Sequence, residues 1–289
     1  MPLINLNHAE TFVDGLDHPE GVAFGPDGRI YAGGEAGQIY RIDIESRAVE
    51  AYADTDGLNL GLALDAAANV YVCTPGRSAV FRVTPDGDVS LYSDGTAERK
   101  MFAPNYPAFD AAGYLYVTDC GRWKADDGCT FSIAPDGTTR VIDTESAQFP
   151  NGCAVSPDGA YLYLAMSLNT PRVVRFPIDV GRKAGPAETV VELPHTVPDG
   201  LAFCADGSLL IACYRPDTIF RLLPGGDLTV LLDDYEGTIL GAPTNVCFGG
   251  QGLSALFWGN LGRWHLGMHP DTGLQGSPLF YPKLRQHNE

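Results

Sequence analysis

Apolar positions along the chain fall into short runs bounded by turn residues, and the runs repeat. A short apolar strand, a Pro-Asp-Gly or Ala-Gly turn and a second apolar strand with aromatics form the unit. It reads EGVAFGPDGRIYAGG from Glu20, LGLALDAAANVYVCT from Leu60 and NYPAFDAAGYLYVTD from Asn105. It returns as NGCAVSPDGAYLYLA from Asn151, DGLAFCADGSLLIAC from Asp199 and TNVCFGGQGLSALFW from Thr244. Copies start 40 to 48 residues apart, the period of a propeller blade. A third strand follows in five units (QIYRID, AVFRVT, CTFSIA, RVVRFP, TIFRLL), and usually a fourth (AVEAYA, DVSLYS, TTRVID, ETVVEL, DLTVLL). Turn residues such as Pro85-Asp86-Gly87 join the outer pair, because Asp and Gly tolerate the positive φ of tight hairpins.

The pattern predicts an all-β fold: a six-bladed β-propeller of four antiparallel strands per blade, one domain spanning residues 1–289. The first strand of each unit is apolar without alternation, as expected of a strand buried on both faces next to the axis. The last unit lacks a fourth strand, whereas ETFVDG at Glu10–Gly15 precedes the first unit without a partner. An N-terminal strand completing the last blade would close the ring and remove the exposed edge.

Composition agrees with many turns: 34 Gly and 21 Pro in 289 residues. The net charge of −17 repels phosphate backbones and anionic lipid, which argues against nucleic-acid and membrane partners. No stretch approaches a membrane-spanning length, and MPLINLNHAE has no basic region followed by an apolar run, so the cytoplasm is the expected location. The seven cysteines show no CxxC spacing. Most sit in apolar runs as small hydrophobes, while Cys120 and Cys129 flank one loop and have the option of a bridge.

Candidate chemistry emerges when the six copies are stacked on the residue that opens each innermost strand: Glu20, Leu60, Asn105, Asn151, Asp199 and Thr244. A propeller brings these positions together around the axis at one end of the channel. Four of them offer carboxylate or amide oxygens, and two of those are acidic. Carboxylates crowded in a low-dielectric channel repel, so either one keeps a proton or a cation sits between them. An all-oxygen set favours Ca²⁺, Mg²⁺ or Mn²⁺ over zinc. The plainer alternative is that these side chains cap strand ends or bond backbone groups.

Several segments are similar to one family. HPEGVAF at His18–Phe24, FPNGCAVSPDG at Phe149–Gly159, VPDGLAF at Val197–Phe203 and APTNVCFGG at Ala242–Gly250 resemble the SMP-30/gluconolactonase/luciferin-regenerating family. The resemblance covers nearly the whole chain. It implies one divalent metal ion on Glu20, Asn151 and Asp199, calcium foremost, with Mg, Mn, Zn or Fe as alternatives. It also implies that Asn105 lies beside the metal and contacts substrate or water. The chain departs from the family where sugar-lactone members often carry Arg two residues before that Asn and Asp just after it; here these are Ala103 and Tyr106.

The implied activity is metal-dependent hydrolysis of a small lactone or ester, with a phosphotriesterase or a non-catalytic calcium- or ligand-binding propeller as alternatives. Asp199 is the expected general base, with direct attack by its carboxylate as the other route. Asn105, Tyr106, Trp123, Tyr214, Arg215 and Trp264 are the expected substrate contacts. The loops that precede third strands also carry Glu35, Arg77, Arg122, Asn169, Arg263 and His265. The expected assembly is a monomer or small homo-oligomer, and His18 is expected to be structural.

Overall fold

The computed structural model describes residues 2–284. Six sheets of antiparallel strands are arranged as a propeller, five in simple sequential order and the last closed by the N-terminal strand. Blade 1 comprises Val22–Phe24, Ile30–Gly33, Gln38–Ile42 and Val49–Asp54, from the axis outward. In blade 6, Pro243–Gly249, Ala255–Asn260 and His265–His269 are followed outward by Glu10–Asp14, which pairs antiparallel with His265–His269. Phe12 and Val13 of that closing strand are buried in a cluster with Val22, Ile30, Phe257 and Leu266. The N-terminal strand therefore ties the first and last blades through packing as well as hydrogen bonds. Blade 4 departs from the expected four strands: a two-residue strand at Arg182–Lys183 pairs with Arg172–Asp179, alongside the fourth strand Glu188–Glu192.

Hairpins at the end away from Glu20 share one device. Asp27, Asp65 and Asp110 accept hydrogen bonds from the hydroxyls of Tyr31, Tyr71 and Tyr116 on the second strands, at 2.8, 3.2 and 3.0 Å. A buried phenol thus keeps a partner while its ring fills the space between blades.

Burial differs from the sequence expectation in one respect. Second strands such as Ile30–Gly33, Val70–Thr74 and Leu115–Asp119 are buried throughout, whereas first strands leave Phe24, Ala63, Ala108, Val155 and Phe203 partly accessible. The innermost strands line a cavity of about 230 Å³ along the axis, so they have no packed layer on that side. Residues 277–281 cover its far end. Tyr281 Oη donates to Phe24 O at 2.6 Å, and Ser277 N to Phe203 O at 2.9 Å. The seven cysteines are free thiols, so the Cys120–Cys129 option is not taken. Among the described residues, no helix is long and apolar enough to cross a membrane.

Candidate metal centre

Consecutive antiparallel strands place the start of every first strand and every loop between second and third strands at the same end. The stacked residues Asn105, Asn151, Asp199 and Thr244 lie second or third in these first strands, and Glu20 just precedes one. In blades 3 to 6 the sheet register shifts at this point, between Pro104 and Pro107, Pro150 and Cys153, Pro198 and Leu201, and Pro243 and Val246. Each irregularity contains the stacked residue and its successor. A bulge releases a side chain from the ladder and re-aims it, here toward the axis.

Two sequence signals of this geometry lie on either side of the stacked residue and escape the repeat reading. Proline precedes it in five copies (Pro19, Pro104, Pro150, Pro198, Pro243), where a missing N–H suits a broken ladder. Glycine follows it in four (Gly21, Gly61, Gly152, Gly200). A Cβ on Gly21 would stand 1.9 Å from Leu60 O, and one on Gly152 would stand 2.2 Å from Asp199 O. Only a residue without a side chain lets neighbouring strands converge this closely. Tyr106 and Asn245 occupy the two remaining positions, in opposite blades.

The convergence brings two carboxyls together. Asp199 is buried, and its carboxyl lies well above the usual carboxylate range, through burial first and then the charge of Glu20; a hydrogen bond from Asn151 opposes this. Glu20 is pushed up to about 7 by burial, with Glu35 adding to the rise. Asn151 is turned by a relay: its Nδ2 donates to Ser167 Oγ at 3.1 Å, and Ser167 Oγ donates to Pro198 O at 2.6 Å. Its Oδ1 is left buried with no hydrogen-bond partner among the described residues. Asn245 repeats the arrangement in blade 6, with Nδ2 on Glu20 O at 3.1 Å and a buried, unpartnered Oδ1. Thr244 Oγ1 holds the same carbonyl at 2.7 Å.

An amide oxygen held without a donor beside two mutually repelling carboxyls fits an oxygen-preferring cation. Glu20, Asn151 and Asp199 are the residues able to hold it. Cys120 was not expected here. Its thiol hydrogen-bonds Asn105 and Pro150 O, and burial with the negative charges of Asp119, Asp199 and Glu20 holds it well above its usual range, so it remains a neutral thiol.

The other expected residues separate into groups. Asn105 is buried beside Cys120. Tyr214 feels both acids: burial first, then the Asp199 charge, raises its phenol. Tyr106 lines the axial cavity below the carboxyls, and burial keeps its phenol neutral where an acidic residue would add a third charge. Trp123 and Trp264 stand exposed on the loops. Arg215 is turned to Asp217 at 2.6 Å. His18 does more than fill space. Its Nε2 accepts from Trp264 Nε1 at 2.7 Å, and its Nδ1 lies 2.7 Å from Glu35 Oε2. Asp17 completes an acidic group with these two at the surface. His265 opens a strand and is buried there, away from the loop position expected of it.

A family model described as SMP-30/gluconolactonase/LRE-like region matches residues 88–258, more than half of the chain. The chain belongs to the SMP-30/gluconolactonase/LRE-like family. A second model, strictosidine synthase-like N-terminal, matches residues 5–42. Among relatives of this SMP-30-like chain is a gluconolactonase of Zymomonas mobilis, 25% identical over 203 residues, covering 63% of this chain and 55% of the relative. The chain thus spans about half the length of that curated relative. A gluconolactonase of Xanthomonas campestris has the same fold, with TM-score 0.77 and 21% identity over 93% of this chain and 89% of that one. So does a protein described as calcium-binding, regucalcin from Agrobacterium tumefaciens, with TM-score 0.77 and 17% identity over 95% and 96% of the two chains.

Proposed function

We propose that this chain is a metal-dependent hydrolase that opens a lactone ring, with Glu20, Asn151 and Asp199 holding one divalent cation, calcium foremost. The observation that carries the reading is the unpartnered Asn151 Oδ1 beside two carboxyls whose charges resist each other. Family membership supports lactone chemistry, and the gluconolactonase relative supports it further.

When bound, the cation supplies polarisation of the lactone carbonyl and offsets the charge that gathers on its oxygen. The protein's own residues do the rest. Asp199 is the general base, taking a proton from the attacking water; a neighbouring positive charge restores the ionised form that burial and Glu20 disfavour. Asn105 orients substrate or water with a neutral amide that adds no repulsion. Tyr106 closes the channel beneath the carboxyls, and Tyr214 borders the reacting centre. Trp123 and Trp264 form the mouth, and Arg215, paired with Asp217, stands on the same loops.

The test is a panel of aldonic, aliphatic and aromatic lactones, assayed after chelation and after return of Ca²⁺, Mg²⁺, Mn²⁺ or Zn²⁺ singly. Ring opening that appears only with a returned divalent ion is expected. Undiminished turnover after chelation rejects metal dependence, and inertness toward every lactone with every ion rejects the hydrolase.

A further inference from the structure

Exposed aromatics stand among the charged residues on the loops above the carboxyls. Two residues before each stacked position stand His18, Leu58, Ala103, Phe149, Val197 and Ala242, with no Lys or Arg among them. His18, Phe149 and Ala242 hold φ of 42°, 61° and 62°, a left-handed backbone that bulky residues adopt only where surrounding structure imposes it. Two of these carry tryptophans from neighbouring loops. Trp264 bonds His18 and meets its ring edge-on at 5.7 Å, and Trp123 meets Phe149 edge-on at 5.1 Å. Both indoles are nonetheless 58–60% exposed, as is Phe102 at 57%, three residues before Asn105. Large aromatics fixed in place yet open to solvent, on the loops above converging polar groups, mark a surface that a ligand covers.

Charge points the same way. Arg77 is paired with Asp56, Arg122 with Asp127 and Arg215 with Asp217, while Arg263 donates to Gly237 O. Lys124 lies over the Trp123 ring at 5.9 Å. Cations on this face are engaged by neighbours, which leaves little to hold a carboxylate or phosphate. A polyhydroxylated ring needs several donors and acceptors to replace its water, whereas the Trp264 N–H is already given to His18 and the guanidinium groups nearby are paired.

We propose that the lactone opened here is uncharged and carries an alkyl or aryl substituent that seats on the aromatic rim of Trp264–His18 and Trp123–Phe149. This rests on the hydrolase reading above and names its substrate class. The substituent lies flat on the indoles while the ring carbonyl reaches the carboxyl end of the channel.

The Ca²⁺-loaded protein is assayed on γ-nonalactone, dihydrocoumarin, γ-butyrolactone and glucono-δ-lactone. A binding readout accompanies it: quenching of tryptophan fluorescence by 2-heptylcyclopentanone, a ring ketone that cannot be hydrolysed, since two of the three tryptophans stand at the mouth and Trp258 is buried. Expected are kcat/KM values at least about tenfold higher for the substituted lactones than for glucono-δ-lactone, and saturable quenching. Trp264→Ala and Trp123→Ala raise KM for γ-nonalactone about tenfold, whereas Leu91→Ala on an outer strand does not. A preference for glucono-δ-lactone, or tryptophan variants that leave KM and quenching unmoved, overturns the substrate class while sparing the hydrolase. Absence of hydrolysis on all four lactones brings down the hydrolase reading itself.

Discussion

Stripped of metal, the chain is expected to lose stability as pH rises from 5 to 8, with Glu20 setting much of the loss. Its folded carboxyl is pushed from 4.5 to about 7, so across that window the folded chain holds a proton that the unfolded chain releases. A raised pKa of this kind contributes stability that is fully present below 4.5 and disappears as pH climbs through 7. One pKa unit is about 1.4 kcal/mol, so the contribution is at most about 3 kcal/mol. Asp199, raised by burial and then by the charge of Glu20, acts in the same direction. His269 opposes them, since burial holds its ring below the usual value and its contribution grows with pH. Glu20→Gln isolates the effect, because it removes the titrating group and leaves His269 in place. At about 2 °C per kcal/mol for a domain of this size, the chelated parent should fall about 5 °C relative to Glu20→Gln between pH 5 and 8. Calorimetric melts at four pH values measure it, and added Ca²⁺ should raise Tm more at pH 8 than at pH 5, since binding displaces protons. A difference between parent and variant that is flat with pH would refute the reasoning, because burial would then not be holding a proton on Glu20.

Three further outcomes follow from the same contacts. Asp199→Asn removes the general base and one of the two opposed charges, so kcat should drop by a factor of about 10² or more while the metal-free Tm holds or rises; near-parental turnover rejects the role. Ser167→Ala deletes the acceptor that turns Asn151, and calorimetric titration should show Ca²⁺ affinity lowered by about tenfold or more in a chain that remains folded. Phe12→Ala empties a buried site on the strand that closes the ring and should cost about 3–5 kcal/mol in denaturant unfolding; a loss below about 1 kcal/mol would show that closure owes little to that side chain.

The propeller was legible because its information is local and repeated. Apolar runs, turn residues and a period near 45 recur six times. The unpaired ETFVDG segment had one place to go, and it pairs there. Stacking the copies located Glu20, Asn151 and Asp199 at the convergent end because blade geometry maps equal repeat positions onto equal heights. The Pro before and the Gly after each stacked residue were also in the sequence, but their meaning depends on a strand separation that no single repeat reveals. Arg215 shows the limit: its charge suggested substrate contact, but nothing in the local pattern indicated that its guanidinium would pair with Asp217.

Sequence by itself determined the blade count, the closure of the ring and the height at which carboxylates and amides gather, since each follows from periodicity and chain order. Only the tertiary structure decided which way those groups face. The turn of Asn151 depends on Ser167 and Pro198, and Trp264 meets a histidine 246 positions away. Far-separated partners like these leave no trace in local pattern, because their energy arises where blades meet and not within any one of them.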